Sequence, residues 1–175
     1  MHGEMSSRNP VDILIRDLIR TGRTGTSDEL DRIIDHMAAA PFSRESIRVP
    51  IDERGTWYQG HQLAARAESL SYHLVKRVVI EQQWVDGTSA AQYVEDVRRA
   101  VRHPSARLTV YERRGGYLAA TVTPTDVVLT PARRGVKPER QLLVIYSADR
   151  GIIVTGYQFS ELSETGIPSE ARWLK

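Results

Sequence analysis

The apolar residues near the N-terminus recur at the spacing of two amphipathic helices. The first pattern predicts a helix over residues 11–20, with Pro10 where a helix tolerates proline and Gly22 where a helix ends. A second helix is predicted after Thr26, which forms a capping-box pattern with Glu29. The apolar stripe of this second helix consists of Leu30, Ile33, Ile34 and Met37.

The middle of the chain has a weak strand pattern, which is followed by two longer helical patterns. Alternation over residues 47–51, interrupted by a proline, predicts a short strand. Residues 42–60 are interpreted as a hinge between the first two helices and the rest of the chain. Apolar residues at helical spacing then predict one helix over about residues 61–84 and another that is capped at residue 88 or 89 and runs to about residue 102.

The last third of the chain alternates with the period of two that is typical of strands. Gly115 and Gly116 separate the first two of these segments and predict a hairpin. The segment 131–140, which is rich in proline, glycine and arginine, is predicted to be an exposed loop. The segments of this meander are 107–113, 117–123, 127–130, 141–147 and 152–158.

The order of these elements predicts the fold class. Helices followed by strands indicate an α+β fold, in which a four- to five-stranded antiparallel meander carries helices on one face. We therefore expect a helical N-terminal extension over 1–59 and an α+β domain over 60–175.

Composition narrows the function only slightly. The chain has 175 residues and no cysteine, and it has no apolar run long enough for a membrane span or a signal peptide. We expect a cytoplasmic protein without membrane contact. A net charge of +2 does not establish a nucleic-acid partner. Of the 24 basic residues only Lys76, Lys137 and Lys175 are lysines, a bias that phosphate binding or a GC-rich genome would each produce.

Two pairs of residues are the main candidates for chemistry. His73 and Arg77 are four residues apart and share one face of a helix, with Lys76 at its edge. Cations beside His73 would lower its pKa and would also offer a site for phosphate. Thr155 and Tyr157 face the same side of a strand, together with residue 153. Ordinary solvated charges and ordinary strand formers would give the same two patterns.

Further residues are candidates for substrate binding. Tyr111 and Arg113, near the tip of the hairpin, form an aromatic and basic mixture that could stack on bases. Arg133 and Arg134 belong to the basic loop, which could steer a polyanion, although such loops are often only solvated. The sequence contains no zinc-protease, phosphate-loop or nucleophile-elbow motif and its histidines are scattered, so neither a metal nor another cofactor is expected.

Residues 73-HLVKR-77 ahead of a meander that ends in 153-IVTGYQ-158 make residues 60–160 similar to a group of small toxins. The chain resembles the barnase–EndoU–colicin–RelE group of ribonuclease toxins. These proteins share a layout of helices followed by an antiparallel sheet, with a histidine and a basic residue on the helical side and a hydroxyl pair on a late strand. His73, Arg77 and the Thr155–Tyr157 pair match those positions. A second histidine present in many relatives is replaced here by Val78, and residues 1–59 have no counterpart.

The resemblance implies a reaction and its partners. It implies a metal-independent endoribonuclease in which His73 takes the proton of a ribose 2′-hydroxyl and Arg77, with Lys76, stabilises the charge on phosphorus. Thr155 and Tyr157 would hold phosphate oxygens or donate a proton to the leaving oxygen. RNA, with tRNA among the substrates to consider, would be the partner, and an immunity protein or antitoxin would be the inhibitor.

Two other functions remain open from the sequence. The same scaffold could be a non-catalytic module that binds nucleic acid or protein. Alternatively, the helical pair within residues 1–40 could serve as a dimerisation or partner-binding element.

Overall fold

The chain has the α+β fold that the order of its patterns predicts. The computed structural model describes residues 9–48 and 66–175. Its helices are α1 (Pro10–Thr21), α2 (Ser27–Ala39), α3 (Ser69–Val75), α4 (Ala90–Arg102) and the single turn α5 (Thr125–Val128). Its strands are β1 (Ser46–Arg48), β2 (Arg66–Glu68), β3 (Arg107–Arg113), β4 (Gly116–Pro124), β5 (Gln141–Ser147), β6 (Ile152–Phe159) and β7 (Arg172–Trp173).

The helices begin and end at the capping residues that the sequence offers. The side chain of Asn9 accepts a hydrogen bond from the backbone of α1, and Gly22 ends that helix in the left-handed conformation. The capping box of Thr26 and Glu29 is present at the start of α2. Ser89 forms the same arrangement before α4. The predictions for these three helices are confirmed.

Five strands form one antiparallel sheet in the order β6-β5-β4-β3-β7. Four of the predicted segments match its strands within a residue or two, and the β3–β4 hairpin turns at Arg114 and Gly115, which both have positive φ. The prediction that 127–130 belongs to the meander is wrong. The chain turns into α5 after Pro124, and the fifth strand is β7, which pairs with β3.

The predicted helix over 61–84 is much shorter in the structure. Its first five residues lie outside the described residues, and 66–68 form β2, which pairs with β1. The helix begins at Ser69 as α3 and continues as a π-helical turn over Lys76–Ile80. Gln82 then adopts a positive φ of 55°, which ends the helical path before Trp84. Of the strand predicted at 47–51, residues 47 and 48 belong to β1, and the remainder lies outside the described residues.

The main apolar core lies between the sheet and the helices. The inner face of the sheet carries Leu108, Leu142 and Val144, which pack in one cluster with residues of α1, α2 and α4. Ile15, Leu18, Ile33 and Met37 of the N-terminal helices are fully buried in that cluster. The apolar stripes of α1 and α2 are therefore directed at the sheet. The predicted division between 1–59 and 60–175 stays a prediction, because its boundary lies outside the described residues.

A second cluster covers the opposite, outer face of the sheet. It contains Tyr111, Leu143 and Phe159, and residues 167–173 of the C-terminal segment pack against it. Among residues 9–48 and 66–175, no helix combines the length and the apolar character needed to cross a membrane.

Candidate functional site

Helix α3 lies beside β6, the edge strand of the sheet. The backbone of Ile153 pairs with the segment 41–43. Further along the strand, the hydroxyl of Tyr93 donates to the carbonyl of Gly156 at 2.5 Å, and the amide of Gln83 exchanges two hydrogen bonds of 2.9 Å with the backbone of Gln158. Side chains therefore satisfy backbone groups that an edge strand leaves open, and they hold residues 73–83 against β6.

The structure brings His73 to Thr155, as the resemblance to ribonuclease toxins implies. The Nδ1 atom of His73 lies 3.2 Å from Oγ1 of Thr155. Oγ1 also accepts a hydrogen bond of 3.3 Å from Arg77, so the hydroxyl proton is available for the imidazole. The ring of His73 has Phe42 and Tyr72 as aromatic neighbours at 6.3 and 5.1 Å.

The surroundings of His73 keep it neutral near neutral pH. Burial, followed by the charges of Arg77 and Lys76, lowers the pKa of His73 to about 3. The predicted direction of this shift is confirmed, but its largest cause is burial rather than the neighbouring cations. A neutral imidazole can accept the proton of the Thr155 hydroxyl, in agreement with the hydrogen bonds around it.

Arg77 is the most constrained charge of the site. Its side chain is only 5 % exposed, and Nη1 forms an ion pair of 2.7 Å with Oε1 of Glu81, one helical turn later. The guanidinium also lies over the ring of Tyr157, 4.5 Å from its centre. An ion pair, a hydroxyl and an aromatic face together fix the guanidinium in one position.

Arg77 lies in the wall of an open cavity of about 510 Å³, which we call the Arg77 cleft. Its volume is in the range of small-molecule sites. Neither His73 nor Thr155 lines it, whereas Lys76, Arg77 and Tyr157 do. The lining residues are Lys76, Arg77, Glu81, Gln83, Lys137, Glu139, Tyr157, Gln158 and Glu164.

The carboxylates of this cleft are not among the residues predicted from the sequence. Glu81 is four residues from Arg77, and the spacing rule that paired Arg77 with His73 could have found it. Glu139 and Glu164 come from two separate loops, so no local spacing indicates them.

The expected alternation along β6 is interrupted. A register shift between Ile145 and Tyr146 of β5 places Thr155 opposite Ile145 and Ile153 opposite Tyr146. As a result Ile153 belongs to the core on the inner face, while Tyr157 packs with the cluster on the outer face. The prediction that Ile153 and Tyr157 share one side is wrong, although Thr155 and Tyr157 both reach Arg77.

Tyr111 and Arg113 do not form an open stacking surface. Tyr111 is 4 % exposed, and burial raises the pKa of its phenol to about 12. The guanidinium of Arg113 lies so close to Gly166 that a β-carbon there would come within 2.2 Å of it. Tyr111 is therefore a core residue of the outer face.

The two loop arginines have internal partners. Arg133 donates to Asp96 at 2.6 Å, beside the indole of Trp84, which donates to the same carboxylate at 3.1 Å. Arg134 donates to the carbonyls of Leu129 and Asp126 at 3.0 and 3.4 Å. The loop 131–140 is accordingly less free than the sequence predicts, since only part of it is exposed.

Comparison with known proteins finds no counterpart: no protein-family model, no curated protein and no solved structure matches the chain. Within the described residues, no group of three or more His, Cys, Asp or Glu side chains is arranged to hold a metal ion. The charged groups that line the Arg77 cleft are ammonium, guanidinium and carboxylate groups.

Proposed function

We propose that the chain is a metal-independent endoribonuclease that acts in the Arg77 cleft. The observation that supports this best is the placement of Arg77, an almost buried guanidinium that lines an open cavity and is held by Glu81 and Tyr157. A cation fixed before the reaction stabilises charge that develops on phosphorus without having to reorganise. RNA is proposed as the substrate because 73-HLVKR-77 and 153-IVTGYQ-158 resemble the corresponding segments of ribonuclease toxins.

In the proposed reaction, a ribose 2′-hydroxyl attacks the adjacent phosphorus. The new bond joins O2′ to phosphorus, the bond from phosphorus to O5′ breaks, and the products are a 2′,3′-cyclic phosphate and a 5′-hydroxyl. One group must take the proton of the 2′-hydroxyl, and another must give a proton to O5′. Such general acid–base catalysis contributes about 10²–10⁴-fold.

We assign the proton acceptor to Glu81 and the proton donor to Lys76. Both line the cleft, and Glu81 is a carboxylate that Arg77 holds in place. Burial, and then the charge of Arg77, lowers the pKa of Lys76, which makes its ammonium a better acid than an exposed lysine. Tyr157 contributes the aromatic ring that lies over Arg77 in the same cleft.

The role of His73 changes in this proposal. The sequence predicts His73 as the base, but its ring lies behind Thr155 and does not line the cleft. We therefore propose that His73 orients the Thr155 hydroxyl, which accepts from Arg77 and so helps to hold the guanidinium.

The test is cleavage of RNA in the presence of EDTA, with detection of the cyclic phosphate. We expect Arg77→Ala and Glu81→Gln to lose about 10²-fold or more in rate, and His73→Ala to lose less. Arg102→Ala is the matched control, since Arg102 is exposed at the end of α4 and does not line the cleft. Cleavage that requires added metal, or that proceeds equally on DNA, contradicts the proposal. Loss in His73→Ala with full activity in Glu81→Gln would return the acceptor role to His73.

A second function is favoured by one observation. The three cations of the lining are accompanied by three carboxylates, so the cleft is formally neutral rather than strongly positive. A cleft without net positive charge attracts a polyanion only weakly, so this balance favours a non-catalytic module that binds protein on the same scaffold. Salt-dependent RNA binding that forms no cyclic phosphate would instead support the nucleic-acid version of that module.

A further inference from the structure

The segment 133–137 is joined to residues 82–85 by a short backbone ladder. The carbonyl of Arg133 accepts from Val85, the amide of Gly135 donates to Gln83, and the amide of Lys137 donates to Gln82, each at 3.0 Å. This backbone ladder fixes the basic loop to the chain directly after the helical turn that carries Arg77.

The backbone ladder requires glycine at position 135. A β-carbon there would lie 2.0 Å from the carbonyl oxygen of Gln82 and 2.7 Å from that of Trp84. Distances this short involve backbone atoms, which cannot rotate away as a flexible side chain can. Any other residue at 135 must therefore separate the two segments.

The backbone ladder places Lys137 in the lining of the Arg77 cleft. Arg77 is paired with Glu81, whereas Lys76 and Lys137 form no ion pair with any described residue. The other carboxylates of the lining already accept hydrogen bonds, Glu139 from the hydroxyl of Ser160 and Glu164 from the backbone of Glu161. Within the part of the chain that the structure describes, the two ammonium groups are thus the lining cations without an ion pair, and that of Lys76 lies 5.8 Å from the ring centre of Tyr72.

We propose that Lys137 binds a second phosphate of a single-stranded RNA, next to the phosphate held by Arg77 and Lys76, and that Gly135 is the residue that positions Lys137. The inference rests on the proposed function in taking RNA as the ligand. Its consequence is that the cleft selects an RNA strand over a mononucleotide, because Lys137 meets a phosphate that a mononucleotide lacks.

The test measures binding of a short, fluorescein-labelled 2′-O-methyl RNA by anisotropy over a range of salt concentrations. This RNA has no free 2′-hydroxyl and cannot be cleaved, so binding is separated from catalysis. We expect Lys137→Ala to weaken binding severalfold and to reduce the slope of log affinity against log salt by about 0.7, the value for one phosphate contact on a single strand. Lys175→Ala is the matched control and keeps the slope, because Lys175 is exposed outside the cleft.

The positioning role of Gly135 has its own readout. Gly135→Ala should weaken binding as Lys137→Ala does, and the double variant should bind no more weakly than Lys137→Ala alone, because both changes remove the same contact. Gly115→Ala is a control for a strained glycine replacement outside the cleft, since Gly115 has a positive φ in the β3–β4 turn and does not line the cleft. Thermal unfolding of each variant confirms that binding is compared between folded proteins.

Two outcomes overturn the inference: a wild-type protein that does not bind the RNA, or an unchanged salt slope in Lys137→Ala. Additive losses in the double variant would remove the positioning role of Gly135. Binding that depends on Lys137, together with failure to cleave ordinary RNA, would sustain the phosphate site and contradict the ribonuclease proposal.

Discussion

Oγ1 of Thr155 lies 3.2 Å from Nδ1 of His73, although 82 residues separate them in the chain. The contact joins α3 to the edge strand of the sheet. Because Oγ1 already accepts from Arg77, its own proton is directed at Nδ1, and this hydrogen bond requires an uncharged imidazole. A fall in pH should therefore weaken the contact between α3 and β6.

The first prediction concerns stability at acid pH. In the unfolded chain the histidines are protonated at about pH 6.5, whereas in the folded protein His73 is protonated only at about pH 3. The unfolded state then binds more protons in this window, so the free energy of unfolding decreases as pH falls from 6.5 towards 3, by at most about 1.4 kcal/mol per pH unit. His73→Asn should lose less stability over the same window in urea unfolding. His103→Asn is the control, and an equal loss in His73→Asn and wild type contradicts the assignment.

The second prediction concerns the aromatic face above Arg77. The guanidinium stands 4.5 Å from the centre of the Tyr157 ring, an interaction of about 0.5–2 kcal/mol. Tyr157→Phe keeps the ring and should retain most of the rate of RNA cleavage. Tyr157→Leu should cleave RNA about tenfold more slowly than Tyr157→Phe. Rates measured at saturating RNA compare the two variants. Equal rates for phenylalanine and leucine would show that the ring does not position Arg77.

Elements specified by local sequence were predictable. The caps at Asn9, Thr26 and Ser89 and the glycine turn of the β3–β4 hairpin each act within a few residues. The meeting of the helix that carries His73 with the strand that carries Thr155 was anticipated only through a family resemblance.

Features that depend on distant contacts were not predictable. The end of the helix after Ile80 depends on Gln82, whose positive φ accompanies the backbone ladder to residues 133–137. The strand β7 is two residues long and exists because β3 pairs with it. Lys137 reaches the Arg77 cleft through the same ladder, and Glu139 through a hydrogen bond from its backbone amide to the side chain of Gln158. Local periodicity has no information about either contact.

The third prediction concerns the packing of α4 on β6. A β-carbon at Gly156 would lie 2.7 Å from a methyl group of Val97. Gly156→Ala should therefore destabilise the fold by about 1–3 kcal/mol, as overpacked cores do. Val97→Ala removes the methyl groups, so adding it to Gly156→Ala should recover part of the loss relative to the sum of the single changes. Urea unfolding of the three variants measures this coupling, and simple additivity would contradict the steric explanation.

The fourth prediction concerns Asp12, a buried carboxylate of α1 that accepts a hydrogen bond of 2.6 Å from the hydroxyl of Tyr146. Burial raises the pKa of Asp12, and this hydrogen bond opposes the shift. A raised pKa means that Asp12 contributes stability at low pH that is lost as pH rises through its folded value. Tyr146→Phe removes the donor and should cost about 1–3 kcal/mol at neutral pH. The cost should be smaller at acid pH, where Asp12 is protonated. The hydroxyl also lies 2.6 Å from Nε2 of His36, so unfolding is compared with and without Tyr146→Phe in a His36→Asn background. In that background a cost independent of pH would mean that the hydroxyl does not stabilise the carboxylate.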